Sequence, residues 1–202
     1  VDERVIVPRS FIGEILFGDF VGESDLAIIP DPESVESVLD LCTGSGALAI
    51  LAATVFPNAE IHATELSPDA LEVARRNVEE HGLEDRISLF EGDLFEPLPR
   101  GRYDLILANP PYVDAEAMAA LPPEYRAEPQ MALAGGADGL DLVRRILDAA
   151  PDWLADEGGL LCEIGTGREH LEAEYGQLDF FWPETEEGTG EVFWLTAADF
   201  GK

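Results

Sequence analysis

The stretch that decides the fold is VLDLCTGSG, residues 38–46. Its apolar first half predicts a buried strand, and its glycine-rich second half predicts a tight turn before a helix over residues 47–56. Glycines at this place let the backbone pass close to a ligand at the carboxyl end of the strand. The turn lacks the third glycine of a dinucleotide fingerprint and no Lys follows it, which excludes a P-loop.

Strand and helix patterns alternate along the rest of the chain. Further strands are predicted at residues 60–65, 86–90, 103–108 and 159–164, two more within 178–195, and helices at 67–81 and 141–150. The alternation indicates parallel strands covered by helices. We therefore predict an α/β, Rossmann-like fold whose mainly parallel sheet has seven strands and helices on both faces.

The charge of the chain is extreme. Forty-two Asp and Glu residues against 12 Lys and Arg give a formal net charge of −30, and Lys202 is the only Lys. Such a field repels nucleic-acid phosphates and attracts a basic protein. Adaptation of a solvated surface to high salt explains the same charge, because counterions screen self-repulsion. The scarcity of Lys favours this second explanation, and the two are compatible.

The two cysteines and the apolar runs argue against a zinc site, a disulfide framework and a membrane span. Cys42 and Cys162 lie in separate strand-like runs, without the spacing of a metal site or of a disulfide framework. No apolar run approaches the roughly 20 residues that span a bilayer. We expect a cytoplasmic protein with reduced thiols, no metal and no membrane partner.

A second motif, Asn109-Pro110-Pro111-Tyr112, follows the apolar run at residues 103–108. Its two prolines restrict the backbone, because each locks φ and neither can continue a strand ladder. The turn would present two acceptors, the Asn109 side-chain oxygen and the Pro110 carbonyl, which suit the two hydrogens of an NH2 group. An ordinary proline-rich strand stop is the simpler alternative, and the glycine-rich turn upstream argues against it.

Acidic residues follow two other predicted strands. Glu65 ends the second strand about 20 residues beyond the glycines, where an acid can accept hydrogen bonds from both ribose hydroxyls. Asp93 could accept from an adenine amino group while Leu94 packs on the ring; each acid could instead be a plain surface or turn residue. All these positions meet at the ligand-binding edge of a parallel sheet. A nucleoside cofactor beside an amino-group acceptor is more typical of S-adenosylmethionine methyltransferases than of NAD enzymes.

These segments together resemble the protein N5-glutamine methyltransferase family, which modifies the translation machinery. The matching segments are residues 7–10 (VPRS), 38–46, 65, 92–95 (GDLF), 109–112, 128–133 and 135–140 (GGADGL). The Asn-Pro-Pro-Tyr motif is shared with adenine- and guanine-amino methyltransferases. The Gly-Gly-x-Asp-Gly-Leu segment is much more specific to the protein-glutamine group.

The resemblance implies a class I S-adenosylmethionine-dependent fold, with S-adenosyl-L-methionine as cofactor and S-adenosyl-L-homocysteine as product. It implies that Asn109 and Pro110 are catalytic and that they bind the substrate together with Pro111 and Tyr112. The expected cofactor site consists of Asp40, Thr43, Gly44, Gly46, Glu65, Leu66, Asp93, Leu94 and Asn109.

Two branches of the family differ in substrate. One methylates the Gly-Gly-Gln loop of class I release factors, and the other a glutamine of the third large-subunit ribosomal protein. Ser10 and Cys42 resemble the ribosomal-protein branch, since the release-factor branch usually has Pro and Gly there. We expect a basic ribosomal protein as substrate. A release factor, a nucleic-acid base and a module that only binds a nucleoside or a basic protein are the alternatives.

The resemblance also implies a domain organisation. Family members carry an N-terminal helical domain that recognises the substrate. We therefore expect residues 1–21 to be a lead-in segment after such a domain and residues 22–202 to be the catalytic domain. The long connection over residues 113–139 has little periodicity, and loops of that length are usually functional.

Overall fold

A six-stranded sheet forms the centre of the computed structural model, which describes residues 2–120, 129–185 and 190–201. Its strands are β1 (Ser37–Leu41), β2 (Glu60–Glu65), β3 (Ile87–Glu91), β4 (Tyr103–Ala108), β5 (Leu154–Glu163) and β6 (Val192–Thr196). Their spatial order is β3-β2-β1-β4-β5-β6. Strands β1 to β5 pair in parallel, and β6 runs antiparallel to β5. The predicted mainly parallel α/β sheet is confirmed.

Seven α-helices accompany the sheet in the described part of the chain. They are α1 (Phe11–Phe17), α2 (Ala47–Val55), α3 (Pro68–Glu80), α4 (Ala115–Ala120), α5 (Asp141–Trp153), α6 (Arg168–Glu174) and α7 (Ala197–Phe200). The start of α3 shows why these segments are helical. Ser67 caps it by accepting from the Ala70 N–H at 3.3 Å, and Pro68 occupies the first turn. None of the helices in the described ranges is long and apolar enough to cross a membrane.

The core lies on both faces of the sheet. Alternate residues of β1 point to opposite sides, so Val38 packs in the cluster that contains α1 and α2, whereas Leu39 packs in the cluster that contains α5. Helix α1 buries Ile12 and Ile15 completely in the first cluster. The lead-in segment therefore contributes a helix to the core of this fold.

The prediction of seven strands is wrong by one. The sequence predicts two strands within residues 178–195, but among the described residues only β6 forms there. Phe181 makes an isolated antiparallel bridge to Trp194, with N–H···O distances of 3.1 and 2.8 Å. Hydrogen-bonded pairs recur every second residue of an antiparallel ladder, so the next pair would need the N–H of residue 183. That residue is Pro183, which has none.

The charge of the surface leads to a prediction about salt. Even if every Lys and Arg paired with one acid, 30 of the 42 acidic groups would lack a cationic partner. We expect the melting temperature to rise by several degrees between about 0.05 and 2 M KCl, because the Debye length falls to about 3 Å at 1 M salt. Scanning calorimetry across this series measures it, with an uncharged osmolyte as control. A melting temperature that stays flat or falls would contradict adaptation to high salt.

Candidate active site

The carboxyl ends of β1, β2, β3 and β4 meet at a cleft whose empty space, including the part open to solvent, is about 820 Å³. Six of the nine predicted cofactor residues line this cleft: Gly44, Glu65, Leu66, Asp93, Leu94 and Asn109. Val5 and Ile6 of the lead-in segment line it as well. Its mainly apolar wall with a few polar groups is typical of a small-molecule site.

Three predicted cofactor residues, Asp40, Thr43 and Gly46, are not among the residues that line the cleft. Asp40 is completely buried and accepts hydrogen bonds from the Thr43 hydroxyl and from the Ala49 N–H, the latter at 3.0 Å. Burial raises the pKa of Asp40 to about 7. These contacts show Asp40 and Thr43 shaping the turn between β1 and α2. Their binding of the cofactor stays a prediction.

Glu65 is held by the backbone on both sides of its carboxylate. Its Oε2 atom accepts from the Gly44 N–H and its Oε1 atom accepts from the Ser67 N–H, both at 2.9 Å. A carboxylate has about four acceptor positions, so each oxygen keeps one for a ligand. The side chain is thus oriented at the cleft wall and remains able to accept hydrogen bonds from a diol.

Asp93 and Leu94 line the same cleft as Gly44 of the glycine turn. The Asp93 carboxylate accepts from the Arg145 guanidinium of α5 at 2.9 Å, a contact that the sequence analysis missed. Cys42 (φ 58°) and Leu94 (φ 48°) are the two non-glycine residues with positive φ in the described part of the chain, and both line the cleft. Unusual backbone conformations of this kind concentrate at ligand sites.

The space beside Gly44 predicts the effect of a side chain there. A Cβ atom on Gly44 would meet no protein atom within 4 Å, because it would project into open space. We expect Gly44→Val to lower cofactor affinity at least tenfold by filling the cleft. Gly82→Val is the matched control, since Gly82 also has positive φ (64° against 56°) and open space. Titration calorimetry compares the two; equal affinity loss in both variants would contradict the assignment.

The Asn-Pro-Pro-Tyr motif separates this cleft from a second, open cavity of about 1430 Å³. Pro110 and Tyr112 line the second cavity, and Asn109 and Pro111 line both. Residues 6–11 of the lead-in segment form its opposite wall. Asn109 is half-buried, and its side chain makes no hydrogen bond to any described residue. Its amide is therefore available at the point where the two cavities meet.

The GGADGL segment packs directly against the backbone of the Asn-Pro-Pro-Tyr motif. A Cβ atom on Gly135 would lie 2.7 Å from the Pro111 carbonyl oxygen, and one on Gly139 would overlap the Tyr112 carbonyl oxygen. Glycine is required at both positions because the two backbones touch. The Gly135 N–H donates to the carbonyl of Val113 at 2.9 Å, which joins this segment to the residue that follows the motif. Glu128, part of a segment matched to the family, lies outside the described residues.

Sequence reasoning missed Glu163, which is completely buried at the end of β5. Its carboxylate accepts from the Tyr112 hydroxyl at 3.0 Å, from the Ser10 hydroxyl at 2.7 Å and from the Phe11 N–H at 3.0 Å. Burial raises its pKa above the ordinary value of a Glu. One signal was available in the sequence: an acid within the apolar run LLCEIG.

The described residues of the site provide hydrogen-bond acceptors and a shaped cleft. Cys42 lines the cleft, but burial raises the pKa of its thiol far above the usual range, so it is a neutral group at physiological pH. Within the described ranges, no three His, Cys, Asp or Glu side chains come together as a metal site. Asn109 lies at the junction of the two cavities, whereas Pro110 lines only the second, and their role as acceptors stays a prediction.

Comparison with known proteins identifies relatives over almost the whole chain. Residues 26–121 match the family model of the methyltransferase small domain. The chain is 61% identical over 98% of its length to a ribosomal protein uL3 glutamine methyltransferase of Bradyrhizobium diazoefficiens, and 55% identical over 98% to one of Burkholderia pseudomallei. It spans 63% and 66% of the lengths of these two relatives.

Solved structures agree on the fold. A methyltransferase from Pyrococcus furiosus is similar with a TM-score of 0.62 and 21% identity, over 83% of this chain and 77% of that one. The human Mettl16 catalytic domain, solved with an RNA hairpin, is similar with a TM-score of 0.63 and 20% identity, over 96% of this chain and 71% of that one. The sheet order and the solved structures show a Rossmann-like class I methyltransferase fold, and over almost its whole length the chain is similar to protein-glutamine methyltransferases.

Proposed function

We propose that this chain is the catalytic part of an enzyme that transfers a methyl group from S-adenosylmethionine to a glutamine side-chain amide of ribosomal protein uL3. The observation that carries the proposal is the position of Asn109 at the junction of the strand-end cleft and a second open cavity. Relatives at 55–61% identity bear the name of this activity. The acidic chain also suits a basic ribosomal protein.

The residues of the cleft fit S-adenosylmethionine. Glu65 retains acceptor positions for the ribose hydroxyls, and the open side of Gly44 leaves room for the methionyl part. Leu94 offers an apolar surface for the adenine ring, and the second oxygen of Asp93 can accept from the adenine amino group. S-adenosylmethionine, when bound there, would supply a methyl group on a sulfonium, and breaking the S–CH3 bond would release the neutral thioether S-adenosylhomocysteine. The chain's own residues supply orientation and electrostatics.

An amide nitrogen is a weak nucleophile, because its lone pair is delocalised into the carbonyl. The Asn109 side-chain oxygen and the Pro110 carbonyl would accept its two hydrogens and favour a pyramidal nitrogen facing the methyl group. The same acceptors stabilise the positive charge that develops on that nitrogen. Positioning supplies part of roughly 7–11 kcal/mol available from effective molarity. The methylated nitrogen then loses a proton readily, so the step needs no strong general base.

A methyl-transfer assay tests the proposal. The native protein is incubated with radiolabelled S-adenosylmethionine and one candidate substrate at a time. The three candidates are unmethylated uL3, a class I release factor and DNA. We expect label on uL3, located on one glutamine by peptide mass spectrometry, and labelling slowed by roughly 100- to 1000-fold with Asn109→Ala. Label that appears only on the release factor or only on DNA would overturn the proposed substrate and support one of the alternatives.

A further inference from the structure

One buried carboxylate joins the two walls of the second cavity. Glu163 accepts from Ser10 and Phe11 on the lead-in wall and from Tyr112 on the opposite wall. These donors all line the cavity, whereas Glu163 does not. The carboxylate therefore lies behind the cavity and is bonded to both of its sides.

The two walls of the cavity come from parts of the chain that are far apart in sequence. Ser10 precedes Glu163 by 153 positions and Tyr112 precedes it by 51. A buried carboxylate is costly unless hydrogen bonds compensate it, and loss of one donor leaves the charge poorly satisfied. At Glu163 the compensation comes from the cavity walls, so the position of each wall is coupled to that of the other.

Each of these hydrogen bonds acts on a segment important to the site. Ser10 is also the N-cap of α1, where its hydroxyl oxygen accepts from the Ile12 N–H at 3.3 Å. Tyr112 ends the motif whose Asn109 and Pro110 provide the acceptors. The restraint on the Tyr112 hydroxyl thus limits movement of the loop that holds both acceptors.

We propose that Glu163 is a positioning residue, which sets the spacing between the lead-in wall and the Asn-Pro-Pro-Tyr wall of the substrate cavity. The inference rests on the proposed function, since it concerns how the target amide is held. Glu163 does not line the cofactor cleft. Its loss therefore weakens methyl transfer and leaves cofactor affinity unchanged.

Asp104 provides a matched control at the other end of the sheet. Its carboxylate also accepts from one serine hydroxyl and from backbone N–H groups, those of Ser37 and Glu36, at 2.9–3.0 Å. It lines neither cavity. Asp104→Asn thus perturbs a comparable bridge between strands without affecting the site.

The experiment compares Glu163→Gln, Tyr112→Phe, their double variant and Asp104→Asn. For Glu163→Gln we expect kcat to fall at least tenfold, with the Kd for S-adenosylmethionine within twofold of wild type. The double variant should lose no more than the worse single variant, because both changes remove the same link. Asp104→Asn should lower the melting temperature and keep kcat within twofold.

Hydrogen exchange gives a readout that needs no substrate. Glu163→Gln should raise amide exchange in peptides covering residues 9–13 and 110–114, whereas Asp104→Asn should not. A kcat loss in Glu163→Gln no larger than in Asp104→Asn, or an equal change in cofactor Kd and kcat, would overturn the positioning role. A wild-type protein that labels no glutamine would instead refute the proposed function, and the exchange result would still decide the link between the walls.

Discussion

Asn109→Ala should lower kcat by roughly 100- to 1000-fold, or about 3–4 kcal/mol, which is the cost of removing one preorganised transition-state group. The reason is the proposed role of Asn109, which lines both cavities, as the side-chain acceptor for the target amide. Its side chain is not committed to any hydrogen bond with the described residues, so the substitution should leave the fold intact. Single-turnover methyl transfer to uL3 measures the rate of the chemical step.

The affinity for S-adenosylmethionine should change only a few-fold in the same variant, because the cleft retains Gly44 and Glu65. Asn58→Ala is a suitable control: Asn58 is exposed and its side chain donates to the Glu33 carbonyl at 2.9 Å, far along the chain from the motif. Near-normal turnover of Asn109→Ala would remove Asn109 from the mechanism.

Glu65→Ala should have the opposite signature, a loss of cofactor affinity by about 1.5–3 kcal/mol, the usual worth of hydrogen bonds to a charged group. This corresponds to roughly a 10- to 150-fold increase in Kd. Two effects add: the ribose loses its acceptor, and the Gly44 and Ser67 N–H groups lose theirs. Titration calorimetry with S-adenosylmethionine and with S-adenosylhomocysteine measures both ligands.

Glu60→Ala is the control for this variant, since Glu60 is an exposed acid at the other end of the same strand. Glu65→Gln separates the two effects, because it keeps one oxygen acceptor for the turn and removes the charge. Unchanged affinity in Glu65→Ala would exclude the carboxylate from the cofactor site. At saturating cofactor we expect the turnover of this variant to approach that of wild type.

Local patterns are sufficient to predict the parallel sheet and the edge at which the site lies. Strands β1 and β4 are recognisable because most of their residues are apolar and because a glycine-rich turn follows the first and a pair of prolines follows the second. The carboxyl ends of parallel strands must meet, so periodicity and motifs alone place Gly44, Glu65 and Asn109 together. The family is also recognisable, since segments such as GGADGL carry its signature.

The strand count and the burial of Asp40 require more than local pattern. Residues 178–195 are apolar enough for two strands, yet Pro183 falls where the ladder needs an N–H. Asp40 lies beside the glycine turn in sequence, but the direction of its side chain follows from the packing of β1 against α2. Side chains alternate between the two faces of any strand, whereas the identity of the helix that covers each face depends on the whole fold.

By itself the sequence determined the fold class, the family and the edge of the sheet where the residues of the site meet, because these depend on periodicity and on motifs of a few adjacent residues. The tertiary structure alone decided which side chains around the site form ion pairs and hydrogen bonds with one another. The ion pair of Asp93 with Arg145 joins residues 52 positions apart, and Glu163 joins the lead-in segment to Tyr112. Such contacts depend on how distant segments pack: the apolar run around Glu163 signals a buried acid, but it does not say which distant residues donate hydrogen bonds to that acid.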